Sequence, residues 1–131
     1  MADKKKILIA DDFQLLREDL TELINNQRDM EVVGTASSGK EIVNLARNTE
    51  YDLILMDIMM PEMNGYETTK AIRNLPDRPD GKEIPIIAMT ANAFAEDVQA
   101  ALNAGMDDHV AKPVDMSILI SAISRFRGRC F

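Results

Sequence analysis

Short apolar runs alternate along the chain with longer segments in which apolar residues recur every three or four positions. The short runs predict five β-strands, at about residues 6–10, 30–36, 51–57, 84–89 and 107–111.

The longer segments predict five helices. The first spans about 13–26, with Phe13, Leu16, Leu20, Leu23 and Ile24 at helical spacing, and the second follows Ser38-Gly39-Lys40-Glu41, which has the form of a capping box. The third follows Asn64-Gly65, the fourth contains Phe94, Val98 and Leu102 and closes at Gly105, and the fifth is capped by Asp115 and contains Ile118, Leu119, Ala122, Ile123 and Phe126. Residues 76–83 are expected to form a surface loop.

The polarity of each run predicts the place of its strand in the sheet. Strands that alternate with helices form a parallel sheet with helices on both faces. The first, third and fourth runs are apolar on both faces, as interior strands are, whereas the second and fifth carry polar residues and belong at the edges. We therefore expect one α/β domain over residues 1–131, a flavodoxin-like five-stranded parallel sheet of order 2-1-3-4-5 with five helices and no output domain.

Charged and hydroxyl-bearing residues stand where four of these strands end. Asp11 and Asp12 follow the first strand, and Asp57 ends the third. Thr90 follows the fourth strand and Lys112 follows the fifth. The carboxyl ends of parallel strands share one edge of the sheet, where open α/β folds bind ligands. Asp57 is the most unusual of the set, because a carboxylate directly after an apolar run is costly to bury without a partner.

Taken together, these residues suit one kind of chemistry. Three neighbouring carboxylates raise one another's pKa unless a cation intervenes, and Mg²⁺ takes one or two carboxylates with waters and phosphate oxygens as its other ligands. Lys112 can supply a point charge for a phosphate oxygen, and Thr90 a hydroxyl donor. Each residue alone has an ordinary structural explanation as a cap, a turn residue or an edge charge. Their convergence favours Mg²⁺-assisted phosphoryl transfer to Asp57.

Composition and charge indicate which classes of binding partner and which cellular compartment to expect. A net charge of -7 argues against nucleic acid or an anionic membrane as the main partner. The one cysteine, Cys130, excludes a disulfide within the chain and fits a reducing cytosol. No apolar run is long enough to span a membrane, and the chain does not start like a signal peptide, so we expect a cytoplasmic protein.

Four motifs resemble those of the response-regulator receiver domains of two-component signalling, a family that includes the chemotaxis regulators. They are Ile-Ala-Asp11-Asp12-Phe, Leu-Met-Asp57-Ile-Met-Met-Pro61-Glu-Met-Asn-Gly65, Met-Thr90-Ala and Ala-Lys112-Pro113, and the resemblance covers essentially the whole chain. It implies that Asp57 accepts phosphate from the phosphohistidine of a histidine kinase or histidine phosphotransfer protein. It also implies that Mg²⁺ is bound directly by Asp12, Asp57 and the backbone carbonyl of Met59, and through water by Asp11. Thr90 and Lys112 would contact the phosphoryl oxygens, and the Lys112–Pro113 bond would be cis.

The resemblance also implies a switch between two residues. On phosphorylation the Thr90 hydroxyl moves toward the phosphoryl group, and the ring at the position of His109 swings inward. This changes the face made by helix four, strand five and helix five. The family more often has tyrosine or phenylalanine there, and the alternative for His109 is a half-exposed ring on an edge strand. Met59 and Asn92, two residues after Asp57 and Thr90, are not acidic, so we expect a long-lived phosphoryl group.

The sequence leaves other functions and origins open. One is a Mg²⁺-dependent phosphohydrolase with an aspartyl-phosphate intermediate, although such enzymes generally need a second acid at the position of Met59. Another is a pseudo-receiver used only for protein contacts, which is disfavoured because no site residue is missing. The two halves resemble receivers of different subfamilies, and natural divergence, an excised domain and a constructed chimera all account for that. The cognate kinase, the output partner and the choice between a monomer and a phosphorylation-dependent dimer are not encoded in any motif.

Overall fold

A computed structural model describes residues 4–60, 62–76, 78–91 and 95–126, with only the backbone described at residues 79 and 95–97. The strands are β1 (Lys5–Ala10), β2 (Met30–Ala36), β3 (Leu53–Asp57), β4 (Ile86–Thr90) and β5 (Asp108–Ala111). The α-helices are α1 (Gln14–Asn25), α2 (Gly39–Asn48), α3 (Gly65–Arg73), α4 (Ala95–Ala104) and α5 (Met116–Ser124). A short 3₁₀ helix, Pro79–Lys82, lies within the predicted surface loop.

The strands form one parallel sheet in the order β2-β1-β3-β4-β5, which confirms the predicted topology. All of the residues of β3 and β4 are buried, while β2 and β5 are partly exposed. This difference follows from position, because an interior strand is covered by helices on both faces. β1 and β3 are neighbours although they are not consecutive in sequence. The chain therefore reverses its direction of winding between these two strands.

Alternate residues of the strands face two separate apolar cores. Leu8 and Ile54 pack into one core with residues of α2, α3 and α4. Ile7 and Leu53 pack into the other with residues of α1 and α5. The helices therefore cover both faces of the sheet, as predicted, and the strand ends are held between two packed layers.

Helical spacing overestimates the apolar stripe that α1, α4 and α5 bury. Four apolar residues at predicted helical positions are exposed: Phe13, Leu23, Leu102 and Ile118. Phe13 stands at the N-cap of α1 with extended backbone angles, so it precedes the helix. The others lie at the margin of a stripe whose centre already fills the core, as Leu20 and Ile24 do in α1.

The ends of several elements differ from the prediction: β3 begins at Leu53 rather than at residue 51, and β1, β5 and α1 differ by one residue at one or both ends. β4 begins at Ile86, two residues later than predicted, because Pro85 has no N–H to donate. Only the Pro85 carbonyl pairs with a neighbouring strand, accepting from Ile54 N at 3.0 Å.

The capping box predicted for α2 forms only in part. The Ser38 side chain accepts from Glu41 N at 3.2 Å, but the Glu41 carboxylate accepts from the Ser37 hydroxyl instead of from the Ser38 backbone. A complete capping box instead joins Asn64 and Glu67 at the start of α3. Asp115 caps α5 as predicted, accepting from Ser117 N at 2.8 Å.

Candidate functional site

The carboxyl edge of the sheet brings the three predicted carboxylates together. Ala10 and Met56 are partners in the β1–β3 register, so Asp11 and Asp57 leave the sheet side by side. Asp11, Asp12 and Asp57 can each offer one oxygen, and these oxygens lie within 4.8 Å of one another. Asp11 and Asp57 are buried, whereas Asp12 is exposed. Oxygen ligands from carboxylates fit a hard divalent cation such as Mg²⁺.

Lys112, which directly follows the edge strand β5, reaches this cluster across the end of β4. Its Nζ lies 2.9 Å from Asp11 Oδ2 and 3.1 Å from Asp57 Oδ1. Its backbone N–H donates to the Thr90 carbonyl at 2.7 Å, which ties the end of β5 to the end of β4. The peptide bond between Lys112 and Pro113 is cis. The lysine therefore spans the end of β4 and touches two of the three acids.

The backbone after β3 is packed tightly around Asp57. Met59 N donates to Asp57 Oδ1 at 3.3 Å, and Gly65 N donates to the Ile58 carbonyl at 2.9 Å. A Cβ on Gly65 would lie 2.6 Å from the Asp57 carbonyl oxygen, so only glycine allows the start of α3 to approach this closely. The Met59 side chain itself is 73% exposed. Pro61, from the same motif, lies outside the described residues.

The electrostatics of the site leave negative charge uncompensated. Asp57 is only 4% exposed, and burial together with the nearby Asp11 carboxylate raises its pKa to about 6 despite the opposing charge of Lys112. Burial lowers the pKa of Lys112, but its hydrogen bond to Asp11 and the charges of both acids outweigh burial and raise that pKa. Among the described residues, the Lys112 ammonium contacts two of the three carboxylates, those of Asp11 and Asp57. The cluster is therefore suited to attract a further cation.

Thr90 and His109 occupy neighbouring strands. Thr90 is buried at the end of β4, and its register partner in β5 is Ala111. His109 is two residues before Ala111, its ring is 37% exposed, and its Nδ1 lies 3.9 Å from Asp108 Oδ1. Asp108 also pairs with Arg125 at 2.8 Å, which links β5 to the end of α5. Asn92, Phe94 and Cys130 lie outside the described residues.

Asp11 makes two contacts that were not predicted from the sequence. Phe13 N donates to Asp11 Oδ1 at 2.9 Å, and Arg17 Nη1 donates to the Asp11 carbonyl oxygen at 2.7 Å. The first contact is an Asx turn, which an aspartate just before a helix favours. The second depends on the direction of a single carbonyl, for which the sequence carries no signal.

Comparison with known proteins identifies the family. Residues 7–124 match the family model of the response regulator receiver domain. The chain is 32% identical over 120 residues to response regulator protein VraR of Staphylococcus epidermidis, an alignment that covers 92% of this chain and 55% of VraR. It is also 30% identical to probable histidine kinase 1 of Oryza sativa subsp. indica, over 95% of this chain and 16% of that protein. The chain thus spans about half the length of the VraR proteins and a small part of the kinase.

Solved structures agree with this assignment. The receiver domain of sensor histidine kinase PA1611 from Pseudomonas aeruginosa, with a magnesium ion coordinated in its active site cleft, is 32% identical, with a TM-score of 0.82 over 96% of this chain and 99% of that one. A putative response regulator from Chloroflexus aurantiacus is 28% identical, with a TM-score of 0.85 over 97% and 100% of the two chains. The chain belongs to the response regulator receiver domain family of two-component signalling. Within the described residues, no helix is both long and apolar enough to cross a membrane.

Proposed function

We propose that this chain is a phosphoacceptor, in which Asp57 takes a phosphoryl group from the phosphohistidine of a histidine kinase or phosphotransfer protein. The observation that carries the proposal is the cluster of three carboxylates within 4.8 Å of one another, two of them bridged by Lys112. An Asp57 carboxylate oxygen forms the new bond to phosphorus, and the phosphorus–nitrogen bond of the donor breaks, leaving its electron pair on the imidazole.

Mg²⁺ would be held directly by Asp12, Asp57 and the Met59 carbonyl, with Asp11 acting through water. When bound, the cation offsets negative charge on the transferred phosphoryl oxygens. The acidic cluster supports this, as does the magnesium ion in the active site cleft of the PA1611 receiver domain. The hydrogen bond from Met59 N to Asp57 Oδ1 holds the acceptor in place before the donor arrives.

Lys112 exchanges partners during the reaction. Its ammonium bridges Asp11 and Asp57 before phosphorylation. An ammonium has three donors and can turn toward a phosphoryl oxygen while it stays close to Asp11. Lys112 thereby holds the Asp57 carboxylate still in the resting state and neutralises part of the charge that the phosphoryl group brings.

The output is a change in the face formed by α4, β5 and α5. The Thr90 hydroxyl would bond the phosphoryl group, and the His109 ring would move inward in response. Two observations support this coupling: Thr90 pairs in the β4–β5 register with Ala111, two residues after His109, and Asp108, the residue before His109, forms an ion pair with Arg125 at the end of α5. A partner that docks on this face would then distinguish the two states.

The donor has an accessible approach to the site. Phe13, which follows Asp12, is 60% exposed, and Met59, two residues after Asp57, is 73% exposed. These apolar side chains flank a charged centre and suit contact with another protein rather than with a small polar substrate. Met59 also stands where a phosphohydrolase would need an acid, which favours the switch over the enzyme.

One experiment separates the three candidate functions. The protein is incubated with a small acyl-phosphate donor and Mg²⁺, and both incorporated phosphoryl groups and released phosphate are measured. One stable equivalent per chain supports the phosphoacceptor, continuous phosphate release supports the hydrolase, and no labelling supports the pseudo-receiver. Asp57→Asn is the test variant, and Asp19→Asn, which removes an exposed carboxylate of α1, is the matched control.

A further inference from the structure

Arg17 contacts the acidic site through the backbone of Asp11. It lies in the first turn of α1 and is half-buried. Its Nη1 donates to the Asp11 carbonyl oxygen at 2.7 Å, a short hydrogen bond from a charged donor. The arginine therefore holds the backbone of the β1–α1 loop and not a carboxylate of the cluster.

That carbonyl stands where the sheet can no longer pair it. The Asp11 N–H makes a last bond to the Ala36 carbonyl at 3.0 Å, one residue past the end of β1 and at the last residue of β2. Asp11 is fully buried, and a buried backbone carbonyl needs a partner. Arg17 is that partner. Because one peptide unit contains the Asp11 carbonyl and the Asp12 N–H, Arg17 fixes the plane from which Asp12 leaves the backbone.

The two aspartates depend on this bond to different degrees. Asp11 is also held through its side chain, which accepts from Phe13 N at 2.9 Å and from Lys112 Nζ at 2.9 Å. The Asp12 carboxylate is exposed, so the position of its backbone largely determines where its oxygens lie. A rotation of the Asp11–Asp12 peptide would move Asp12 away from Asp57 while leaving Asp11 in place.

We infer that Arg17 is a positioning residue for the cation site, setting the Asp12 carboxylate at the distance from Asp57 that Mg²⁺ requires. The inference rests on the proposed function, since it concerns the cation that assists phosphorylation. Partners that orient metal ligands typically account for roughly ten- to hundredfold in metal affinity. We expect Arg17→Ala to weaken Mg²⁺ binding by roughly tenfold or more.

Whether Mg²⁺ affinity falls or rises when Arg17 is removed shows whether Arg17 acts by positioning Asp12 or only by its positive charge. Arg17 is a cation near the acids, so if it acted only through its charge, its removal would strengthen Mg²⁺ binding. If it positions Asp12, its removal weakens Mg²⁺ binding. Arg17→Lys keeps the charge and one possible hydrogen bond but loses the rigid planar donor group, so its affinity should fall between those of the wild type and Arg17→Ala.

Mg²⁺ affinity is measured by calorimetric titration of the full chain, alongside the melting temperature without Mg²⁺ and the rate of phosphorylation as a function of Mg²⁺ concentration. Arg28→Ala is the control, because it removes an exposed arginine from the α1–β2 loop at the opposite edge of the sheet. The expected result is weaker Mg²⁺ binding for Arg17→Ala, a partial recovery for Arg17→Lys, no change for Arg28→Ala, and phosphorylation that recovers at high Mg²⁺.

Unchanged or tighter Mg²⁺ binding by a folded Arg17→Ala protein would overturn the inference and leave the proposed function intact. If Arg17→Ala does not fold, Arg17→Lys decides in the same way, since wild-type affinity in that variant overturns the positioning role. A wild-type protein that binds no Mg²⁺ overturns both the proposed function and the inference.

Discussion

Replacing Asp57 by asparagine should stabilise the protein when Mg²⁺ is absent. The carboxylate is buried beside Asp11, and its pKa is raised from 3.8 to about 6. A raised pKa means that the folded state holds the protonated form more tightly than the unfolded state does, so ionisation of Asp57 destabilises the fold. Asparagine has nearly the shape of the protonated acid and carries no charge.

The size of the effect follows from the same pKa. A rise from 3.8 to about 6 corresponds to about 3 kcal/mol at neutral pH, because each tenfold change in proton affinity is worth about 1.4 kcal/mol. This is an upper bound, because asparagine does not reproduce the contacts with Lys112 perfectly. We expect Asp57→Asn to raise the free energy of unfolding by about 1–3 kcal/mol, measured by denaturant titration above about pH 7 in a chelator.

The pH dependence distinguishes this cause from better packing. The destabilisation is fully present above the folded-state pKa of about 6 and disappears as the pH falls toward the ordinary value of 3.8. The advantage of Asp57→Asn should therefore shrink between those values, and saturating Mg²⁺ should reverse it by stabilising only the wild type. The control Asp19→Asn should stay within about 0.5 kcal/mol of the wild type. A variant that is less stable than the wild type without Mg²⁺, or an advantage independent of pH, would refute the reasoning.

Three further outcomes follow from the site. Lys112→Ala should lower the free energy of unfolding near neutral pH by roughly 3 kcal/mol in a denaturant titration, because it leaves two acids without their cation; wild-type stability would contradict this. Gly65→Ala should cost about 1–3 kcal/mol and weaken Mg²⁺ binding in calorimetry, because its Cβ would lie 2.6 Å from the Asp57 carbonyl oxygen; unchanged binding would count against that packing. Mg²⁺ affinity measured by calorimetry should fall as the pH drops below the Asp57 pKa of about 6, because the proton competes with the cation; a constant affinity down to about pH 5 would count against this competition.

The strand order was predictable because strands that are buried on both faces have almost entirely apolar sequences. Strands such as β3, in which Leu53 to Met56 are all apolar, must be covered on both faces, and that places them inside the sheet. The gathering of Asp11, Asp57 and Lys112 followed in turn, because parallel strands end at one edge. These inferences needed only the polarity and the order of the segments.

Two kinds of feature were not predictable from the sequence: those that depend on how a helix is rotated about its own axis, and contacts that depend on the orientation of a single peptide plane. Helical spacing defines an apolar stripe but not its centre, so it does not show that Leu23 and Ile118, both placed in predicted helices, are exposed. The bond from Arg17 to the Asp11 carbonyl depends on how the chain turns after β1. The capping box of Asn64 and Glu67, by contrast, has a sequence signature and could have been found from its spacing.

The central claim is that Asp57 is the residue that accepts the phosphoryl group. The most direct test is the intact mass of the protein, followed by peptide mapping, after exposure to a small acyl-phosphate donor with Mg²⁺. We predict one phosphoryl group per chain, located on Asp57, and none when Mg²⁺ is chelated or in the Asp57→Asn variant. A phosphoryl group on another residue, or equal labelling of Asp57→Asn, would contradict the account.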